Sequence, residues 1–426
     1  MTGTTVIIIF LVLLVIRVPL AFSMAMAGIA YVVVDGLPIS ISAQRMINAI
    51  NSFPLLAVPL FIFAGHVFNV AGVTNSIFRL ARLFLGRQPG GMAQVNVGAS
   101  LVFSGMSGAA LADIGGLGNI EIRAMTDQGY RKSVSAAITV ASATIGPIFP
   151  PSIPLIIYAV VASASSLQLL LAGIVPALLL TAFLMVQLFF IARRNPKDYP
   201  VDPISPQRGD RRRAFVSALP ALFAPVLLIS GLLVGAFSPT EIAAVTLFYA
   251  IILGVFVYRE LTLAKFMSAV ALTVRTTSSI LIIASASGLF SLALTFEGVP
   301  QQLSSALLGI SDNRLVLLLL VNVLLLIVGM FMDTIAALLV VVPLLVPPLV
   351  TAGVDPIHLG VVVVLNLMIG LLTPPVGMSL YLISDIAKVK VEEVVKEVIP
   401  FLIPLFLALI VLTLVPEISL WLPGLF

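Results

Sequence analysis

The chain has 426 residues, of which 60% are hydrophobic and 9% charged, with a mean hydropathy of +1.21. Soluble proteins carry about 25% charged residues, so this chain cannot present a polar surface to water, and lipid must be its solvent. A formal net charge of only +4 and the absence of cysteine argue against nucleic-acid binding and exclude disulfides and thiolate metal sites.

Backbone groups in lipid must pair internally, which leaves helices or closed barrels. Leu315–Met330 and Leu338–Val350 are apolar throughout and do not alternate, so the expected fold class is an all-α polytopic membrane protein. A spanning helix needs about 20 apolar residues, and the first half offers crossings at 4–16, 19–35, 53–72, 133–162 and 168–192. Val6–Ile16 lacks a basic stretch before it and is followed by many similar segments, so it reads as a retained span and not as a secretory signal. Arg17, between the first two spans, reads as a cytoplasmic anchor. Segment 74–88 sets Asn75, Arg79 and Arg82 among Ile77, Phe78, Leu80 and Leu83, as in an amphipathic helix lying along the membrane surface. Segment 92–104 is too short to span before it meets Ser104-Gly105-Met106-Ser107-Gly108, and a second short stretch carries Asp113, Glu121 and Arg123. Arg79, Arg82 and Arg87 precede the pair, while Arg123, Arg131 and Lys132 follow it, so both flanks are expected in the cytoplasm. That predicts a re-entrant hairpin over 92–127.

A basic, proline-rich linker over 195–214 is expected in the cytoplasm. The second half reads 215–234, 239–258, 276–296, a broken stretch 314–350, then 357–386 and 399–420. The break at Gly329-Met330-Phe331-Met332-Asp333 predicts a second hairpin. Its flanks hold Glu297, Asp312 and Asp355 against one arginine, Arg314, so it enters from the opposite face. Glu241, after Ser238-Pro239-Thr240, fits a helix start, and Gly231-x-x-x-Gly235 signals close helix packing. His66 and His358 stand alone in the sequence and read as solvent-facing or packing residues.

The two halves repeat. Gly105, Met106, Gly129, Gly146, Pro150, Pro151 and Pro176 each have an identical partner at one constant offset, at Gly329, Met330, Gly353, Gly370, Pro374, Pro375 and Pro400. The expected organisation is a first repeat over 1–194, with scaffold helices 4–72, hairpin 92–127, broken helix 133–162 and helix 168–192. After the linker, a second repeat over 215–426 holds scaffold helices 215–296, hairpin 314–350, broken helix 357–386 and helix 399–420. Each copy has five crossings, one of them broken, and one hairpin. An odd number of crossings inverts the second copy, and inverted repeats with broken helices are an architecture of secondary transporters.

The unwound points are Gly146–Ser152 and Gly370–Pro375. A proline pair removes two amide donors and frees upstream carbonyls, which membranes tolerate only where something else satisfies them. Converging carbonyls suit a sodium ion, and the half-helices beginning near Ser152 and Pro375 turn positive N-termini toward a carboxylate. Asp113 and Asp333, just past the hairpin tips, either ligate an ion or tie up hairpin amides. Gly105–Ala109 lacks the last glycine of a nucleophile elbow, and no nucleotide-binding phosphate loop is present. No enzyme is expected.

Ile145–Tyr158, Gly329–Ala336 and Gly370–Gly377 resemble the signature stretches of the tripartite ATP-independent periplasmic (TRAP) transporters, in their large DctM-type membrane subunit. The resemblance implies an elevator mechanism in which both hairpins slide against a fixed scaffold, driven by sodium. It also implies two partners: a separate small membrane subunit of about four helices and a periplasmic substrate-binding protein. The substrates would be small carboxylates, such as C4-dicarboxylates and sialic acids, taken up across the bacterial inner membrane with no cofactor beyond sodium. Carried over by position, Ser104, Gly105, Ser107, Gly108, Gly146 and Pro150 would form one sodium site. Gly329, Asp333, Gly370 and Thr373 would form the other. Ser107, Ser152, Asp113 and Pro375 would meet the substrate. Phe149 departs from the family pattern, where a smaller aliphatic residue is usual. A binding-protein-independent sodium/anion symporter of related architecture is the alternative. An ABC permease subunit and a channel are further rivals.

Overall fold

The structure, a computed structural model, describes the whole chain apart from residues 109, 202–209, 236 and 312. Most of the expected linker, and the flanking Asp312, therefore lie outside the described residues. The described chain is helical. Its first helices are α1 (Gly3–Val15), α2 (Leu20–Val34), α3 (Ser40–Ile50), α4 (Ala57–Val70) and the amphipathic α5 (Val73–Leu85). Next come α6 (Gly91–Ser107), α7 (Ala110–Gly116) and α8 (Gly118–Thr126), which together make the first hairpin. α9 (Lys132–Ser142) and α10 (Ile153–Val161) are the two halves of a broken helix, followed by α11 (Ser166–Ala172) and α12 (Ile174–Arg194).

The second half begins with α13 (Asp210–Leu233), α14 (Pro239–Ile252), α15 (Leu263–Phe296) and α16 (Val299–Ile310). α17 (Arg314–Phe331) and α18 (Thr334–Thr351) form the second hairpin. α19 (Pro356–Gly370) and α20 (Met378–Ala387) are again a broken helix, and α21 (Val391–Leu414) follows. Among the described residues, seven helices are long and apolar enough to cross a membrane unaided. An eighth is added if α3 and the segment Pro54–Val70, bent by 63°, count as one span.

Three elements differ from expectation. α15 begins at Leu263 rather than at 276, so the stretch before 276, Arg275 included, belongs to the helix. α3 and α16 were not anticipated, because Gln44, Arg45 and Asn48 in one and Gln301 and Gln302 in the other interrupt their apolar pattern. Glu241 does begin a helix: its Oε2 accepts from the Ser238 amide at 2.8 Å, while its own amide donates to Ser238 Oγ at 3.3 Å. That is a capping box on α14.

Side chains tie the hairpin ends together. The Tyr130 hydroxyl, after α8, donates to the carbonyl of Gly90, just before α6, at 2.8 Å, and alternately to that of Pro200 at 2.9 Å. Both ends of the first hairpin therefore lie at one face, with the start of the linker. Arg131 joins the same face to α21 through Glu397 at 2.7 Å and to Asp198 at 3.5 Å. Burial, reinforced by Glu397 and opposed by Arg131, pushes neighbouring Tyr199 up to about 12, so its phenol stays protonated there. α21 has 24 residues, about 36 Å at 1.5 Å each. Beyond its far end, Ser419 Oγ lies 3.4 Å from Nδ1 of His358, near the start of α19. Arg314, which opens α17, and Asp355, which follows α18, both act electrostatically on His358. The ends of the second hairpin thus lie at the other end of α21.

Small residues let these helices approach. Gly28 of α2 packs under Leu289 of α15, and Gly288 of α15 packs on Ala49 of α3. Such contacts suit a bilayer, where van der Waals packing drives helix association.

Candidate functional site

The first hairpin turns at Gly108, whose φ of +68° favours glycine. A side chain there would also run into the carbonyl of Pro151. The Ile153 amide donates to the Gly108 carbonyl at 3.2 Å, fastening the tip to the unwound loop between α9 and α10. In the second half the amide of Gly377, at the repeat position equivalent to Ile153, donates to the carbonyl of Met330 at 3.1 Å. Each tip is therefore held by the unwound loop of its own half. Both loops contain a cis proline bond, Pro150–Pro151 and Pro374–Pro375. At the second tip Asp333 caps α18, its Oδ2 accepting from the Ile335 amide at 3.1 Å.

Polar groups collect behind the first tip. Ser107 Oγ donates to Asp113 Oδ1, and Ser104 Oγ donates to the Ser100 carbonyl at 2.6 Å. Asp113 Oδ2 and Ser104 Oγ both lie against Gly146, where glycine leaves the space. Deeper in, buried Glu121 accepts from Ser100 Oγ at 3.4 Å, and Ser142, Asn96 and Thr139 complete the cluster. The second half has a counterpart without acids. Asn366 donates to Asn322 Oδ1 at 2.8 Å, and Asn322 donates to Thr413 Oγ1 at 2.9 Å. Asn366 occupies the repeat position equivalent to Ser142.

Between the tips lies a cavity of about 750 Å³, within the size range of small-ligand sites. Ser107 and Ala110 line it from the first hairpin, and Asp333, Thr334 and Ile335 from the second. α4 adds His66 and Asn69, and α15 adds Arg275, Thr276 and Ser279. α4 reaches the first tip because Gly65 has no side chain: a Cβ there would stand 3.0 Å from Ser107 Cα.

The structure gathers Ser104, Ser107, Asp113 and Gly146 into one cluster and puts Ser107 and Asp333 on the cavity wall. Gly105 lies under Pro225 and the ring of Phe149, and Gly108 against Pro151. Gly329 and Gly370 meet backbone to backbone. Thr373 Oγ1 donates to the Ile369 carbonyl at 2.8 Å, one turn back. Ser152 and Pro375 do not line the cavity. Ser152 is committed to its own chain, donating to the Pro147 carbonyl and capping α10 through the Leu155 amide. His66, expected to face solvent or serve packing, lies on the cavity wall instead, while the asparagines and Arg275 carry a signal the sequence offered unnoticed, namely polar side chains inside apolar helices.

A polytopic helical bundle with a cavity between two hairpin tips has the architecture of a membrane transport protein. The family model of the "Tripartite ATP-independent periplasmic transporter, DctM component" matches residues 7–418, and the chain belongs to that family. It is 43% identical over 412 residues to the sialic acid TRAP transporter large permease protein SiaM of Vibrio cholerae, covering 96% of this chain and 95% of that one. It is 39% identical to the sialic acid TRAP transporter permease protein SiaT of Haemophilus influenzae, covering 98% of this chain and 68% of that longer one. Among solved structures, the YdaH transporter of Alcanivorax borkumensis superposes with a TM-score of 0.64 at 14% identity, over 89% of this chain and 88% of the other. That likeness concerns the fold alone.

Proposed function

We propose that this chain is the large membrane subunit of a sodium-driven importer of small organic carboxylates, of the sialic acid or C4-dicarboxylate class, in the bacterial inner membrane. A periplasmic binding protein delivers the substrate, and a small four-helix subunit braces the scaffold. The observation that carries the reading is the cavity of about 750 Å³ lined by the tips of both hairpins. A site made by two tips is released when they move together, which suits an elevator. The hairpin ends tied at opposite ends of α21 support two repeats of inverted topology, 1–194 and 215–426, joined by the 195–214 linker.

Sodium is assigned to the two tip-and-loop junctions. The first is assigned to Ser104, Gly105, Ser107, Gly108, Gly146 and Pro150, where the Asp113 carboxylate meets Ser107 and Gly146 and oxygen ligands suit a hard cation. At the second, Gly329, Asp333, Gly370 and Thr373 offer one carboxylate, one hydroxyl and backbone carbonyls. The substrate sits in the cavity beside Ser107. Asp113 acts on it through Ser107, and Ser152 and Pro375 act by shaping the loops behind the tips.

Reconstitution tests this. The chain, its small subunit and its binding protein in liposomes should accumulate N-acetylneuraminate or succinate when sodium is high outside, and stop when the gradient is collapsed with ATP present. Accumulation that needs ATP would identify an ABC permease. Accumulation without the binding protein would favour the binding-protein-independent symporter.

A further inference from the structure

We infer that Arg275 supplies the counter-charge for the anionic group of the transported molecule. This rests on the carboxylate reading above and adds the residue that recognises the charge. Arg275 lies within α15, a helix of 34 residues. At 1.5 Å per residue it is about 18 Å from the first residue of α15 and about 31 Å from the last. An arginine on such an apolar helix is accommodated where a partner or a water-filled cavity receives it. Among the described residues the Arg275 guanidinium makes no ion pair and no hydrogen bond.

What receives it is the cavity between the hairpin tips. Arg275 shares that wall with Ser268, Thr276 and Ser279 of the same helix. Ser268, Arg275 and Ser279 recur at one or two turns from their neighbours and share one helical face, with Thr276 at its edge. Asp333 lines the same cavity, yet its Oδ2 is engaged by the Ile335 amide and it makes no ion pair with Arg275. A second observation points the same way. His66 is also on the wall, and its Nε2 is buried with no hydrogen-bond partner among the described residues. The chamber thus offers an unpaired guanidinium, an unpaired imidazole nitrogen and several hydroxyls. A guanidinium presents a planar fork that fits a carboxylate through two parallel hydrogen bonds, and the hydroxyls suit the polar remainder of a hydroxylated or dicarboxylic acid. The ligand chemistry is therefore a carboxylate, with its charge on the α15 side of the cavity.

The test uses the reconstituted three-part system described above, with wild type, Arg275→Lys and Arg275→Gln compared for uptake of N-acetylneuraminate and of succinate. For whichever acid the wild type takes up, Arg275→Gln should raise KM about 10- to 100-fold, the worth of a charged hydrogen bond. Arg275→Lys should raise it less. Competition by the methyl ester of the same acid separates recognition of charge from shape: wild type should discriminate strongly against the ester, and Arg275→Gln should not. The sodium-induced rise in Tm should be equal in all three proteins, which establishes that they fold. If Arg275→Gln does not fold, Arg275→Lys decides the matter: a raised KM with discrimination against the ester kept supports recognition of the charge, and an unchanged KM overturns it. An unchanged KM with unchanged discrimination in a folded variant overturns the role of Arg275 and leaves carboxylate transport standing. A wild type that responds to sodium but takes up neither acid overturns the carboxylate reading, and this inference with it.

Discussion

Gly146 and Gly370 occupy equivalent positions in the two halves, yet different neighbours exclude a side chain from each. A methyl group on Gly146 would lie 2.5 Å from Asp113 Oδ2, the end of a side chain that can swing away. On Gly370 it would lie 2.7 Å from the Cα of Gly329, which is backbone on another helix. Gly370→Ala should therefore lose more stability, about 1–3 kcal/mol or beyond for overpacking. Gly146→Ala should lose less but disturb the Asp113 cluster. Melting curves of the two purified variants check the order, and equal losses would contradict it. Ser107→Ala should also destabilise, by about 1.5–3 kcal/mol for a hydrogen bond to a buried carboxylate. At this scale the acids and the paired prolines stood out in the sequence as residue types out of place inside apolar runs. Arg275 escaped for a physical reason. Measuring that span by apolar length started it after the charge, so the expected helix began at 276, immediately beyond Arg275.

Helices announced themselves when they were apolar or capped and hid when they were mixed. The helix start at Glu241 was legible because a serine, a proline and an acid preceded an apolar run, although its capping box was not; α3 and α16 lacked that punctuation and the length of a span. Ser238→Ala should cost about 0.5–2 kcal/mol, read as a lower Tm with faster amide exchange confined to the first turn of α14. Gly231 and Gly235 were expected to serve one packing face. Gly231 does pack on Ile242, whereas Gly235 has open space around it and a φ of +67° just past the end of α13. The shared clamp at Tyr130 was not legible, since nothing in a sequence states that one hydroxyl will meet two carbonyls so far away along the chain, at Gly90 and Pro200. Tyr130→Phe should loosen both ends of the first hairpin at once. Hydrogen exchange should quicken around Gly90 and after Thr126 together; acceleration at only one of them would mean that the clamp does not hold the ends in common.

For the molecule as a whole, the constant spacing between the two halves carried the most information, because an entire architecture is implied by a register kept without gaps. What it could not provide was contact between the halves: that α4 and α15 complete the cavity depends on packing between segments from opposite halves of the chain. An elevator requires the first hairpin to slide past α4, and the two touch where a Cβ on Gly116 would stand 3.0 Å from Asn69 Cγ. The chain has no cysteine, so the pair Asn69→Cys with Gly116→Cys can be oxidised cleanly. Cross-linking should abolish uptake and a reductant should restore it; full uptake through a completed cross-link would rule out that motion. The central claim, that the tip-and-loop junctions bind the coupling ion, is tested most directly by melting the purified chain with its small subunit in sodium against equal potassium. A ligand at 100 times its dissociation constant adds about 2.7 kcal/mol to the native state. The account predicts a rise in Tm specific to sodium, reduced by Ser107→Ala and by Asp333→Ala; identical melting in the two salts at high concentration would contradict it.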